Sequence, residues 1–340
     1  MRWWCAAVDA PWSWVPRPYI GVWILCGALL ALYFRSRAVY RRDHPDAPAD
    51  PKGRRRAVWF VLGTGFLWVA SDWPLGALGA GYLSAVHMLQ YMLYTLGAAP
   101  LLLMGMPEWM LRNLLRHTRL DTAYRLVANP VVAALLFNLV LIATHAPVSV
   151  DALRSTQVGS FALDMVWLLS GIILWTPVVS PLPERQARSA PAKLVYLFLA
   201  AAVVPMIPGG FIAFSPEPLY GTYELAPRIG PSALEDQQMA GVIMKVGNLP
   251  VIWTVMAVIW FRWYERDQAD VRRRRDARRV AAARASGERL STRATRVTAT
   301  ADGPAGAGPA GADPAGTATV TAPGASAPVA TAVPSGPDLN

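Results

Sequence analysis

Seven apolar stretches constrain this chain before any motif is read. They lie near residues 19 to 35, 57 to 72, 82 to 105, 128 to 146, 161 to 179, 192 to 214 and 236 to 262. Each is long enough, with its flanks, to cross about 30 Å of hydrocarbon. Lipid offers no partner to a backbone N–H or C=O, so such stretches must satisfy themselves as helices, and their length excludes a closed barrel of short strands. The expected fold is all-α: a polytopic transmembrane helix bundle of about seven spans. A soluble globule is excluded, because 54% of the residues are hydrophobic and the mean hydropathy is +0.30 despite a long polar tail.

The net charge of +10 is distributed as membrane topology requires. The connection 35 to 56 carries eight Lys or Arg, 106 to 127 carries four and 180 to 193 carries three, while the intervening connections carry none, one and one. The positive-inside rule then sets the N-terminus outside and the C-terminus in the cytoplasm. Segments 71 to 81, 147 to 160 and 215 to 235 are thus expected on the extracytoplasmic side. Nucleic-acid binding is not expected, since no binding motif accompanies the charge.

The expected organisation has four parts. Residues 1–18 form an extracytoplasmic N-terminus ahead of a retained first span, and residues 19–263 form the bundle. Residues 264–291 continue as a basic cytoplasmic helix beside anionic lipid headgroups. Residues 292–340 are dominated by Ala, Pro, Gly and Thr, with too little apolar surface to offset chain ordering, and are expected to be disordered. Cys5 and Cys26 have neither CxxC spacing nor an even framework and read as structural.

Two segments carry the chemistry. In 231 to 250, PSALEDQQMAGVIMKVGNLP, Ser232 and Glu235 form a capping-box signature that opens the last apolar helix. At about 100° per residue, Asp236, Met239, Ala240, Ile243 and Gly247 share a face. This combination reads either as a soft cation site or as a helix cap with a packed methionine. In the third span, His87, Gln90, Tyr91 and Tyr94 recur at i, i+3, i+4 and i+7, a polar stripe that must face protein or water. Gly97, Pro100 and Gly105 mark a bend or close approach farther along it.

Ionisable groups inside membrane helices are costly and usually functional. His87 and His145 could supply imidazole nitrogen to a metal, with Asp236 as a third ligand or as the acceptor that fixes a tautomer, and Met239, Met88 or Met92 as sulfur. Two histidines hydrogen-bonded within a packed bundle are the alternative. Lys245 either finds Asp164 as counter-ion or snorkels to an interface. Tyr91, Asp164, Lys245 and Gln237 are supporting candidates.

The string DQQMAGVIM resembles the signature of the CtaG-type cytochrome c oxidase assembly factors, multi-spanning bacterial membrane proteins. Further stretches agree in order: Ser84 to Gln90 followed by Ala99-Pro100-Leu101, then His145-Ala146-Pro147, Leu174-Trp175-Thr176-Pro177, and Pro218-Leu219-Tyr220 with Tyr223. The resemblance covers roughly residues 57 to 262. It implies a non-enzymatic assembly factor for a haem-copper oxidase in the bacterial plasma membrane, with oxidase subunits as partners and copper as the metal handled. It also implies a His-x-x-x-His pair on the third span, where this chain has His87 and Tyr91, and histidines at the start of the fifth, where it has Ser160 and Asp164. With His44 and His117 in cytoplasmic connections, a four-histidine copper site cannot form. A copper or proton transporter is the competing class. It would need polar stepping stones at both faces, and the inner halves are apolar apart from Asn138.

Overall fold

The computed structural model describes residues 2–46, 50–116, 118–187 and 189–301. His117 and the tail beyond residue 301 lie outside these. Among the described residues the chain is all helix, with no strand. It divides into a unit Met1–Arg272 and a unit Arg273–Asn340.

The elements, in order, are α1 (Ile20–Asp43), α2 (Gly53–Ser71), α3 (Leu75–Gly81), α4 (Ser84–Gly105), α5 (Glu108–Leu114), α6 (Thr118–Ala128), α7 (Pro130–His145), α8 (Pro147–Arg154), α9 (Gln157–Val179), α10 (Ala190–Phe214), α11 (Gly221–Glu224), α12 (Ala233–Val246) and α13 (Leu249–Ala301). Among the described residues, five helices are by themselves long and apolar enough to cross a membrane: α1, α4, α9, α10 and the α12–α13 stretch. A sixth arises if α6 and α7, bent by 92°, count as one span. The remaining expected span is α2. Its first turn holds Arg54, Arg55 and Arg56, leaving an apolar rise of about 22 Å. The bend between α6 and α7 is written locally. Pro130 opens α7, and the Asn129 side chain accepts from Val131 N at 2.9 Å, so one helix ends and the next is capped within two residues. Helix α13 runs to Ala301, ten residues past the boundary expected at 291. The described residues of the second unit, 273–301, are helical.

Helix α4 is the hub, packed against α2, α3, α9 and α12. Two glycines permit these approaches. A Cβ on Gly171 of α9 would stand 2.7 Å from the Thr95 backbone of α4, and one on Gly79 of α3 would overlap the Gln90 side chain. Within α4 the expected bend takes the form of a π-helical segment, Leu93–Ala98, just ahead of Pro100; α10 repeats the arrangement with Phe198–Val203 ahead of Pro205. A proline donates no N–H, and the wider turn absorbs that loss but leaves carbonyls to be satisfied. Neighbouring helices satisfy them. Trp175 Nε1 donates to Thr95 O, Asn138 Nδ2 to Ala200 O and Asn248 Nδ2 to Ala201 O, at 2.8, 3.1 and 2.5 Å. The mid-helix asparagine is thus a structural plug for a π-segment.

Within residues Met1–Arg272 the connections sort to two ends. At one end, Tyr223 bonds Gly79, Asp151 bonds Thr222, and the N-terminal segment bonds Gln157. At the other, Arg112 pairs with Glu184, Arg185 pairs with Asp121, and Tyr40 stacks on Trp109. The basic connections therefore gather at the end opposite the polar cluster described below.

Candidate functional site

The polar stripe of α4 points inward as expected: His87, Gln90, Tyr91 and Tyr94 are all buried. Asp236 determines where that helix starts. Its Oδ2 accepts from Ser84 N at 2.6 Å and from Ser84 Oγ at 2.7 Å, and its Oδ1 accepts from Ala85 N at 3.2 Å. These are orphan donors at the positive end of α4, so the carboxylate caps a helix other than its own. It is free to do so because Ser232 and Glu235 close the capping box of α12 by themselves. Gln237 beside it accepts from Leu219 N at 2.5 Å and donates to Glu217 O at 3.1 Å, pinning the preceding loop.

The same device recurs twice. Asp151 of α8 accepts from Gly221 N and Thr222 N at the start of α11, at 3.2 and 2.8 Å. Asp72, just after α2, accepts from Tyr19 N at the start of α1, at 2.8 Å. Helix α11 is one turn long, and its capped geometry aims Tyr223 into the bundle.

Tyr223 reaches His87. Its hydroxyl lies 2.6 Å from Gly79 O and 2.8 Å from His87 Nδ1. A carbonyl only accepts, so the phenol proton goes to Gly79, and the contact with His87 is made when Nδ1 carries the imidazole hydrogen. Arg154 Nε donates to the same nitrogen at 3.4 Å, which needs Nδ1 bare, so the two contacts call for opposite tautomers of His87. His145 Nδ1 donates to Leu141 O at 2.8 Å, which places its imidazole hydrogen on Nδ1. His145 thus turns a bare Nε2 into the interior, and neither histidine's Nε2 has a hydrogen-bond partner. The two rings stand 5.8 Å apart, nearly perpendicular.

Trp167 of α9 supports them all. It stacks with His145 at 5.6 Å, meets His87 edge-on at 4.8 Å and carries the Arg154 guanidinium 5.1 Å over its ring. Arg154 and Asp164, both 0% exposed, form an ion pair at 3.0 Å. Burial opposes the guanidinium charge, and the Asp164 carboxylate outweighs that opposition, so Arg154 stays protonated. The N-terminal segment seals the pair. Trp4 Nε1 donates to Asp164 Oδ2 at 2.8 Å, Ala7 N donates to Arg154 O at 2.9 Å, and Cys5 Sγ lies 3.9 Å from the same carboxylate. Burial, reinforced by Asp164, pushes the Cys5 thiol up, leaving it neutral.

The structure therefore brings together His87, His145, Tyr91 and Asp164 of the expected residues. Met239 is 56% exposed on the outer face of α12, and Asp236 is committed to α4. Lys245 has no contact with Asp164; its ammonium reaches the Phe214 ring, 5.1 Å away at the end of α10. Arg154, Trp167 and Trp4 were not anticipated. Arg154 had a signal in the sequence: it is the one basic residue of a connection that topology keeps poor in them.

A protein-family model described as cytochrome c oxidase caa3 assembly factor matches residues 3–266. No curated protein and no solved structure matches the chain. The match begins where the N-terminal segment joins the polar cluster, fifty-four residues ahead of the expected limit at 57.

Proposed function

We infer, from the premise that this chain belongs to the caa3 cytochrome c oxidase assembly-factor family, that it is a non-catalytic, multi-pass factor of the bacterial plasma membrane. Its partner is a nascent subunit of a haem-copper oxidase, met on the extracytoplasmic side. The loop charges support that orientation, since the polar cluster lies at the end remote from the basic connections.

The finer reading is that the cluster handles copper as cargo, and one observation carries it: two buried imidazoles whose Nε2 atoms meet no partner, that of His145 bare because its Nδ1–H is committed. That is the arrangement in which an oxygen acceptor prepares a histidine for metal. Imidazole nitrogen suits copper. The ligand set is His87 and His145 alone; Asp236 orients α4, and Met239 faces away. A cation beside Arg154 is held against like charge, offset by Asp164, which favours passing it on over storing it. The transporter reading draws no support from the deeper polar groups, because Asn138 and Asn248 are spent on backbone carbonyls.

The test compares His87→Ala and His145→Ala with the unaltered chain at equal membrane abundance. Assembled oxidase, read from its haem absorbance, and copper bound by the purified factor should both fall on the order of tenfold. Full oxidase assembly by both variants would refute the role of the pair. Normal copper with lost assembly would leave a scaffold that recognises the subunit without the metal.

A further inference from the structure

A groove of about 1160 Å³ opens between α4, the end of α9, the start of α10 and α13, within residues Met1–Arg272. Its wall is apolar along most of its length, with Leu93, Leu96, Val251 and Val255 among the lining residues. Charge enters the lining only toward the end with the basic connections, as Glu184, Lys193, Arg262 and Arg266. Glu184 is bonded to Arg112 at 2.8 Å, so its charge is offset and the mouth is cationic. Arg262 and Arg266 lie four apart on α13, on one face of the helix.

We propose that this groove binds an anionic phospholipid of the cytoplasmic leaflet, its phosphate on Arg262, Arg266 and Lys193 and its acyl chains along α13. Dimensions support this occupant. The apolar wall of α13 from Val251 to Ile259 rises about 12 Å, close to half of a ~30 Å hydrocarbon core. An acidic headgroup near several basic side chains gains with each of them, whereas a neutral one does not.

The proposal is independent of copper handling, and its test uses the full chain purified from vesicles of equal phosphatidylglycerol and phosphatidylcholine. Native mass spectrometry should show phosphatidylglycerol retained in preference to phosphatidylcholine. Arg262→Gln with Arg266→Gln should weaken that preference about fivefold per arginine. The pair Arg274→Gln with Arg275→Gln, equally basic but outside the groove lining, should leave it unchanged. Val255→Trp, which fills the apolar wall, should reduce retention of either lipid. Equal retention of the two lipids by the unaltered chain, or an equal loss in the Arg274 and Arg275 control, would overturn the site in favour of diffuse surface charge. A photocrosslinker at position 255 that captures a polypeptide in cell membranes would overturn it in favour of a protein partner.

Discussion

Asp236 and Asp164 are both buried carboxylates near the same end of the bundle, and they differ in how they are satisfied. Asp236 accepts from three donors at the start of one helix. Asp72 and Asp151 are bound to helix starts in the same way. Around Asp164 the polar atoms outnumber their partners: His87 Nε2, His145 Nε2, Gln90 Oε1, Tyr91 OH and Arg154 Nη1 have none within the protein. In an apolar bundle, an unmet polar group costs more than the average hydrogen bond returns. Selection for stability alone works against such a collection, and that is what marks this cluster, rather than the satisfied carboxylates, as the candidate site.

The largest effect should come from splitting the buried pair. Arg154→Met alone leaves Asp164 buried and unpaired and should destabilise the protein by about 3–5 kcal/mol, read as loss of monodisperse material in detergent and a lower melting point. Combining it with Asp164→Leu should restore most of that stability without restoring oxidase assembly. A double variant that is stable and active would erase the distinction, making the cluster scaffold as well.

Next comes Asp236→Ala, which removes the cap of α4 and should cost about 1–2 kcal/mol. Its assembly defect should match its loss of folded protein, whereas a larger defect would place Asp236 within the working site. His145→Phe should stay within about 1.5 kcal/mol, since it keeps an aromatic ring against Trp167 and forfeits the single bond from Nδ1 to Leu141 O. Its assembly activity should nonetheless fall, reversing the order seen for Asp236. Met239→Leu should be smallest, within about 0.5 kcal/mol and silent in assembly, because the side chain faces outward. A copper or assembly defect there would return sulfur to the ligand set.

The bundle itself was legible, since apolar length and loop charge are strong signals and the helices follow the expected stretches. The capping box of α12 was legible for the same reason: its partners are three residues apart. What failed were the inferences that needed tertiary direction. Grouping Met239 with Asp236 assumed a face centred on residue 236, but the buried side of α12 is set by Asp236, Gln237, Ala240, Gly241 and Met244. At 100° per residue its centre lies about 130° from Met239. Asp236 reads locally as a cap, which is right in kind and wrong in target, because the helix it caps lies 152 residues away in sequence. Arg154 was hidden by its setting in what reads as a loop. The π-segments were half visible: Pro100 announced a disturbance, and nothing local announced which side chains would answer the freed carbonyls.

The bond from Trp4 to Asp164 joins residues 160 apart, and it has a consequence in time. The indole leaves the ribosome first and its acceptor much later. At ~5–20 residues per second that interval is about 8–30 s. Until then four spans must settle while the opening segment waits with its tryptophans uncovered. Closure of this latch is thus a late event in biogenesis. A chain whose opening residues are captured elsewhere would insert, span and pack, yet leave Asp164 without its seal.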